Sequence, residues 1–194
     1  MNAVNSLDYD RIFSSNPPGL RQALSRMKIL ICGAGGLGTN VAFMLARAGV
    51  SALHVIDYDV VEHSNLNRQQ YFFDQIGRLK TDALEENLLR INPLIRMIKF
   101  HERLDSGNCE RLIPPGCDVI FECFDKAESK AVLADFCLRC RPDTPLICVS
   151  GTAGVGEWSD IKVRKGPGRL IIVGDGTTEA NDVNGTLSSR VAQV

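Results

Sequence analysis

Lys28-Ile29-Leu30-Ile31-Cys32-Gly33-Ala34-Gly35-Gly36-Leu37-Gly38 leads from a continuous apolar segment directly into a glycine-rich turn. The apolar run at 28–32 is typical of a strand that is buried on both faces of a parallel sheet. Gly33, Gly35 and Gly38 have the spacing of the dinucleotide-binding fingerprint. The stretch therefore predicts a strand, a tight turn and a helix start that together receive a phosphate group.

A second apolar segment, 53–57, ends in an acidic residue whose separation from the glycines in the sequence is characteristic of nucleotide-binding folds. Asp57 lies 19 residues after Gly38, where the acid that binds a nucleotide ribose is expected. Because NAD and ATP both contain an adenosine ribose, these residues alone leave the choice of nucleotide open.

The rest of the chain alternates apolar segments with segments of helical period, which predicts a doubly wound, mostly parallel Rossmann-like sheet. The predicted helices are 20–27, 36–48, 77–91, 105–112, 127–140 and 185–194, and the predicted strands are 28–32, 53–57, 94–100, 117–123 and 146–150. Two further strands, 161–164 and 170–173, are joined by a Gly-Pro-Gly turn and predict antiparallel edge strands near the C-terminus. We expect one domain over 1–194, with 1–27 as a polar lead-in.

Composition restricts the class of protein. The 194 residues carry a net charge of −1, from 22 basic and 23 acidic residues, which argues against binding of nucleic acid or of an anionic membrane. No apolar run is long enough to span a bilayer, and residues 1–8 lack the pattern of a secretory signal. The seven cysteines are odd in number and lie mostly in apolar segments. We therefore expect a reducing cytoplasm and no disulfide framework.

Three features favour ATP over NAD. Asn65, Arg68 and Gln69 form a polar cluster that suits a triphosphate better than a nicotinamide. Lys80 near a predicted helix start opposes the helix dipole and so indicates an anionic partner, although a solvated surface lysine is the simpler explanation of this residue taken alone. Asp125 follows the fourth predicted strand, where a carboxylate can hold Mg²⁺ or can cap the next helix.

The glycine turn, the Asp57-Tyr58-Asp59 stretch and Asp125, together with the string Ser64-Asn65-Leu66-Asn67-Arg68-Gln69, resemble the E1-like activating enzymes of the ThiF/MoeB/HesA superfamily, most of all its small thiamine-biosynthesis ThiF branch. The resemblance covers the chain from about residue 20. It implies ATP-dependent adenylation of the C-terminal glycine of a ubiquitin-like sulfur carrier that ends in Gly-Gly, and a homodimer.

The resemblance also assigns residues to the nucleotide site. It implies catalytic roles for Arg68, Lys80 and Asp125, with Asp125 holding Mg²⁺, and a role for an N-terminal arginine that reaches across the dimer. Arg11 has about the right offset for that arginine, and Arg21 is a rival. The nucleotide would contact Gly33, Gly35, Gly36, Gly38, Asp57, Asp59, Ser64, Asn65, Leu66, Asn67, Arg68, Gln69, Lys80, Asp125 and Lys126. The family usually has Asp-Asn where this chain has Asp125-Lys126, so Lys126 either adds charge near the phosphates or faces solvent.

The cysteines suggest no further chemistry. Larger members of the superfamily hold zinc with two Cys-x-x-Cys pairs, and only Cys137 and Cys140 have that spacing here, so we expect no zinc site. Cys148 lies in a predicted strand and is expected to be inert, which predicts adenylation without a covalent carrier intermediate. The loop at 150–156 either admits the carrier's tail or merely turns the chain into the edge strands. A NAD-dependent oxidoreductase and a non-catalytic scaffold remain the alternatives.

Overall fold

A computed structural model describes residues 6–152 and 156–178. Its seven strands are β1 Ile29–Cys32, β2 Ala52–Ile56, β3 Arg96–Phe100, β4 Val119–Glu122, β5 Leu146–Val149, β6 Lys162–Lys165 and β7 Leu170–Gly174. Its six α-helices are α1 Ser6–Ile12, α2 Leu20–Leu24, α3 Gly36–Ala48, α4 Lys80–Ile91, α5 Cys109–Leu112 and α6 Ala127–Cys140. Short 3₁₀ turns occur at His63–Asn65, Phe73–Gln75 and Trp158–Asp160.

The strands form one sheet in the order β3-β2-β1-β4-β5-β7-β6. All neighbouring strands are parallel except β6, which runs antiparallel to β7 at the edge. The chain leaves β1 toward β2 and β3 on one side and returns to β4 and β5 on the other. The crevice between the carboxyl ends of β1 and β4 is therefore the topological switch point, where open α/β sheets bind ligands.

The two faces of β1 pack against different helices. Ile29 and Ile31 belong to the core shared with α3 and α4, whereas Leu30 and Cys32 belong to the core shared with α5 and α6. All four side chains are at most 1% exposed. This two-sided burial is what the unbroken apolar run predicts, and it fixes the glycine turn rigidly at the end of the central strand.

The predicted doubly wound sheet and its antiparallel edge are confirmed, and α6 has the predicted bounds. The predicted antiparallel pair differs in one respect, because β7 is parallel to β5 and only β6 is antiparallel. Helix α4 begins at Lys80 rather than at Gly77, since Gly77 has φ of 85° and donates its N–H to the Val61 carbonyl. The predicted helix 105–112 is reduced to α5, because the Asp105 carboxylate accepts the Gly107 and Asn108 N–H groups in a turn.

The segment 1–27, predicted as a polar lead-in with one short helix, contains an additional helix, α1. The phenol of Tyr9 donates a 2.9 Å hydrogen bond to Oδ1 of Asn92, and both residues are buried. Asn92 in turn donates to the Val50 carbonyl. Val50 and Asn92 precede β2 and β3, so α1 packs at the amino edge of the sheet, opposite the switch point. The predicted helix 185–194 lies outside the described residues.

None of the helices in the described ranges is both long and apolar enough to cross a membrane.

Candidate functional site

A cleft opens at the carboxyl ends of β1, β2, β4 and β5, at the switch point of the sheet. Its walls consist of Gly33, Gly35, Gly36, Leu37, Asp57, Tyr58, Asp59, Arg68, Gln69, Lys80, Cys123, Phe124, Asp125 and Thr152. Nine of these belong to the nucleotide site predicted from the sequence. The tertiary structure thus brings together residues that lie up to 119 positions apart, from Gly33 to Thr152.

Two of the three fingerprint glycines are required by the packing of the protein itself, and the third is not. Gly33 has φ of 104°, and a Cβ there would lie 2.6 Å from the Cys123 carbonyl oxygen. At Gly38 a Cβ would lie 1.8 Å from the Gly33 carbonyl oxygen, so these two glycines allow the turn and the helix to pack. At Gly35, by contrast, a Cβ would meet no protein atom within 4 Å. The protein itself does not require a glycine at 35, which leaves the backbone open toward the cleft.

Asp57 joins the glycine turn to the end of β2. Its carboxylate accepts the N–H of Ala34 at 2.6 Å through Oδ2 and the N–H of Asp59 at 2.8 Å through Oδ1. Burial raises the pKa of Asp57, while the charge of Lys80 and the two backbone donors oppose that rise. Asp57 therefore holds the turn in place and presents its remaining lone pairs at the cleft.

Lys80 is not the solvated surface lysine that was one interpretation of its position. It is 6% exposed, and its Nζ lies 2.9 Å from Oδ2 of Asp59. Lys80 is the first residue of α4, and its backbone N–H donates a 3.0 Å hydrogen bond to the Asp59 carbonyl. This bond holds the start of α4 at the cleft. The result is a buried cation at the wall of the cleft whose partner, Asp59, is itself 44% exposed and open to replacement by another anion.

The segment Ser64 to Gln69 divides into residues that line the cleft and residues that shape the loop. Arg68 and Gln69 line the cleft. Nη1 of Arg68 donates to the Ser64 carbonyl and to Oδ1 of Asn67, both at 2.9 Å. Gln69 is 7% exposed, and its Oε1 has no hydrogen-bond partner among the described residues.

The other members of this segment lie outside the cleft wall. Asn65 is buried, and its Oδ1 accepts the Glu62 N–H while its carbonyl accepts the N–H groups of Arg68 and Gln69. Leu66 packs against the core beside α3 and α4, and Ser64 and Asn67 are exposed. Their contacts hold Arg68 and Gln69 at the glycine turn.

Asp125 stands at the mouth of the cleft, three residues after β4. Helix α6 begins at Ala127 with Lys126 in the cap position and with no side-chain cap, so interpreting Asp125 as the helix cap is wrong. In the part of the chain that the structure describes, no hydrogen bond engages the Asp125 carboxylate. Its oxygens are thus available to a cation.

Lys126 is not part of the cleft wall but bridges its rim. Its Nζ donates a 3.3 Å hydrogen bond to the phenol of Tyr58, which lines the cleft. This hydrogen bond raises the pKa of Lys126, and the positive charge of Arg103 opposes that rise. Arg103 belongs to a second cavity, which is also lined by Leu104, Asp105, Glu128, Ser129 and Val132.

Sequence reasoning missed five residues of the cleft: Leu37, Tyr58, Cys123, Phe124 and Thr152. Tyr58, Cys123, Phe124 and Thr152 all lie within three residues after a strand end, so position relative to the strands was the available signal. Thr152 is 8% exposed and places the start of the predicted glycine loop at the site. Residues 153–155 of that loop are outside the described residues.

The candidate N-terminal arginines lie away from the cleft of their own chain. Arg11 is exposed in the last turn of α1, at the amino edge of the sheet. Arg21 pairs with Asp10 and stacks over the rings of Tyr9 and Phe13, at 4.6 and 5.3 Å. A role for Arg11 at a partner's site stays a prediction.

The seven cysteines are all free, and burial shapes their chemistry. Cys137 is buried in the core, while Cys140 is exposed on α6. Burial raises the pKa of the Cys148 thiol to about 12, with the charge of Glu122 adding to the rise. Such a thiol is almost entirely protonated at neutral pH and is a poor nucleophile.

The cleft fits a magnesium nucleotide on its own geometry. The open backbone at Gly35 and the uncapped start of α3 suit a phosphate group. The unpartnered Oε1 of Gln69 and the free carboxylate of Asp125 suit a hydroxyl donor or a cation. Two cationic side chains, Arg68 and Lys80, line the same cleft, where positive charge suits a polyphosphate.

Proteins of known structure share this architecture. Escherichia coli tRNA N6-threonylcarbamoyladenosine dehydratase, TcdA, aligns with a TM-score of 0.86 over 98% of this chain and 92% of its own, at 22% identity, which indicates the shared fold. Escherichia coli MccB, solved with ATP, aligns with a TM-score of 0.66 and 25% identity, over 84% of this chain and 48% of its own.

Curated relatives match most of this chain. Adenylyltransferase and sulfurtransferase MOCS3 of Danio rerio is 32% identical over 75% of the chain and 31% of its own length. Adenylyltransferase and sulfurtransferase UBA4 of Eremothecium gossypii is 38% identical over 74% of the chain and 32% of its own. The chain thus spans about a third of the length of these relatives. Residues 9–187 match the ThiF family, and the chain belongs to that family.

Proposed function

We propose that this protein is an ATP-dependent adenylyltransferase that activates the C-terminal glycine carboxylate of a ubiquitin-like, ThiS-like sulfur carrier and releases pyrophosphate. The observation that carries the proposal is the convergence of Asp57, Arg68, Lys80 and Asp125 on one cleft beside the open backbone of Gly35. The family membership and the adenylyltransferase names of its curated relatives support it.

The chemistry needs positive charge more than it needs a base. A C-terminal carboxylate has a pKa of about 3.5, so it is already ionised at neutral pH and needs no deprotonation. It must attack the α-phosphorus of a polyanion, and the barrier is therefore electrostatic. A cleft with two cations and a free carboxylate for a metal ion meets that need.

In this proposal each residue of the cleft has a separate role. Asp57 would hold the ribose hydroxyls, and the backbone at Gly35 and Gly36 would face the phosphates. Arg68 and Lys80 would stabilise the charge that builds up on the phosphate oxygens as the acyl–phosphate bond forms. Asp125 would hold Mg²⁺, which supplies further charge to those oxygens and to the departing pyrophosphate.

The second cavity offers a place for the base. It is lined by residues that follow β3 and by residues of α6, the helix that begins two residues after Asp125. In this proposal a nucleotide whose ribose lies at Asp57 would direct its base toward the segment that follows β3. Because Thr152 and Arg68 both line the cleft, we expect the extended tail of the carrier to bind near these two residues.

Carrier-dependent exchange of labelled pyrophosphate into ATP tests the proposal. The purified protein is mixed with Mg-ATP, labelled pyrophosphate and a small carrier that ends in Gly-Gly, with a carrier that lacks the last glycine as control. Exchange with the first carrier alone is the expected result. No exchange with any Gly-Gly-ended carrier would contradict the proposal. A ThiS-type carrier is our first choice, and thiamine synthesis and a homodimer belong to the same proposal.

A NAD-dependent oxidoreductase is the second candidate, because the glycine turn and Asp57 suit either nucleotide. Arg68 and Lys80 favour ATP, since a nicotinamide has no use for two cations and a metal-binding carboxylate. A non-catalytic scaffold is the third candidate, and it predicts that substitution of Lys80 or Asp125 leaves biological activity intact.

A further inference from the structure

A buried ion pair lies directly behind the cleft. Glu122 is the last residue of β4, and its side chain is 0% exposed. Its Oε2 lies 2.8 Å from Nζ of Lys130, on the first turns of α6, where the lysine is 31% exposed. None of the functional roles described above uses either residue.

The pair is bonded to the backbone of two strand ends that form the cleft. Oε1 of Glu122 accepts the Phe124 N–H at 2.7 Å. Nζ of Lys130 also donates to the Val149 carbonyl at 3.1 Å. Phe124 directly precedes Asp125, and Val149 lies three residues before Thr152. The ion pair thus ties together the parts of the chain that carry Asp125 and Thr152.

The surroundings of the pair give it no obvious value for stability alone. Burial raises the pKa of Glu122, while Lys130 and the backbone donors oppose the rise, as expected where charge is costly. Well-packed apolar residues often replace a buried ion pair without loss of stability. The bonds that the pair makes, however, are aimed at the cleft backbone, which apolar residues cannot hold.

We propose that Glu122, held by Lys130, is a positioning residue that orients the turn bearing Asp125 for its metal ion, an inference that rests on the proposed nucleotide site. Glu122 does not line the cleft and would act through the peptide group of Phe124. In the variant Glu122→Gln an amide N–H₂ must face either the Lys130 ammonium or the Phe124 N–H. One donor then meets another donor, so the turn loses either its bond to position 122 or the support that Lys130 gives to that side chain.

The dissociation constant of ATP, measured by calorimetry on the full chain with and without Mg²⁺, tests this role. In the wild type Mg²⁺ should tighten ATP binding. In Glu122→Gln the ratio of the Mg²⁺-free to the Mg²⁺-bound dissociation constant should fall roughly tenfold to hundredfold, as is typical when a residue that orients a metal ligand is replaced. The Mg²⁺-free dissociation constant should stay unchanged. In an Asp125→Ala background, adding Glu122→Gln should cause no further loss, because Glu122 acts only through Asp125.

The matched control is Asn92→Ala. Asn92 is also fully buried, and the substitution removes its bonds to Tyr9 and Val50 at the opposite edge of the sheet. It should lower the melting temperature and leave the Mg²⁺ effect intact. If Asn92→Ala reduces the Mg²⁺ effect as much as Glu122→Gln does, general destabilisation explains both, and the positioning role is wrong.

A second variant covers the case in which Glu122→Gln does not fold. In the double variant Glu122→Gln, Lys130→Gln the two new amides can bond to each other, and the amide oxygen at position 122 can again accept the Phe124 N–H. The Mg²⁺ effect of this variant should return to within about threefold of the wild type, and a persistent hundredfold loss would contradict the proposal. Absence of ATP binding by the wild type would contradict the proposed function, whereas an undiminished Mg²⁺ effect in Glu122→Gln would contradict the positioning role alone.

Discussion

At the scale of single residues, the chemistry of the cleft depends on side chains that are partly or wholly removed from water. Lys80 is buried against Asp59, and Asp57 is buried against two backbone donors. Charges in such surroundings act more strongly on a ligand than they would on the surface, because little solvent screens them. Arg68 is only half buried and keeps two guanidinium nitrogens, Nε and Nη2, without partners among the described residues.

The variant Lys80→Met should fold and lose activity. Methionine keeps most of the volume, and Asp59 is exposed enough for water to replace its lost partner. Turnover in pyrophosphate exchange should fall roughly 10²- to 10³-fold, as when one charge-stabilising donor is removed. Lys99→Ala is the control, since Lys99 pairs with Asp82 and Glu85 outside the cleft. Equal losses in the two variants would remove Lys80 from the mechanism.

The cysteines provide a prediction that depends on pH. With a pKa of about 12, Cys148 should resist iodoacetamide at pH 8, and its rate should rise about tenfold for each added pH unit, because the thiolate is the reactive form. Cys140 is exposed and should be alkylated at pH 8. Peptide mapping by mass spectrometry checks both sites.

The same property predicts that Cys148 carries no intermediate. Cys148→Ser should retain full pyrophosphate exchange. A thioester between Cys148 and the carrier, detected after denaturation without reductant, would show this prediction to be wrong.

At the scale of elements, the glycine turn and the start of α3 must both pack closely against the protein and leave space in the cleft. Gly33 and Gly38 let the backbone of the turn, the helix and β4 approach one another closely. Gly35 leaves room in the cleft. The same turn is held from the side by Asp57 and by the phenol of Tyr71, which donates to the Ala34 carbonyl at 2.8 Å.

Two glycine-to-alanine variants should separate folding from binding. Gly38→Ala places a methyl group 1.8 Å from the Gly33 carbonyl oxygen, so it should lower the free energy of unfolding by several kcal/mol or prevent folding. Gly35→Ala meets no protein atom within 4 Å and should change stability by less than about 1 kcal/mol. It should nevertheless weaken ATP binding, because its methyl group takes space beside the phosphates.

Thermal unfolding and calorimetric titration with Mg-ATP measure the two effects. Tight ATP binding by Gly35→Ala would mean that the phosphates do not approach the backbone at this glycine. A stable Gly38→Ala variant would mean that the turn can open without cost.

At the scale of the whole molecule, the two ends of the strands, amino and carboxyl, have different roles. The amino edge is closed by α1 and by the buried Asn92, whereas the carboxyl edge holds the cleft. A ligand in the cleft contacts residues that follow β1, β2, β4 and β5. Its binding energy should therefore stabilise the molecule as a unit, by linkage between binding and folding.

Mg-ATP should raise the melting temperature, and NAD should not. At a concentration 100 times its dissociation constant a ligand adds about 2.7 kcal/mol, which corresponds to roughly 5 to 10 °C for a chain of this size. Differential scanning fluorimetry with Mg-ATP, ATP with EDTA, and NAD makes the comparison. A shift with NAD and none with Mg-ATP would favour the oxidoreductase.

Local patterns in the sequence predicted the order of elements well, because the packing of each strand and helix leaves a period in its own residues. The run at 28–32 is buried on both faces as predicted, and α6 occupies its predicted residues. Helix α1 was missed, because Tyr9, which joins it to the rest of the fold, bonds to a partner that is distant in the sequence.

The sequence by itself determined the doubly wound sheet and the glycine turn, since hydrophobic period and backbone freedom are local properties. Only the tertiary structure decided that Lys80 is buried, that Asn65 shapes its loop, and that Glu122 is bonded behind the cleft. These roles depend on which strand ends and loops meet. A polar residue shows its partner only when the fold has removed both from water.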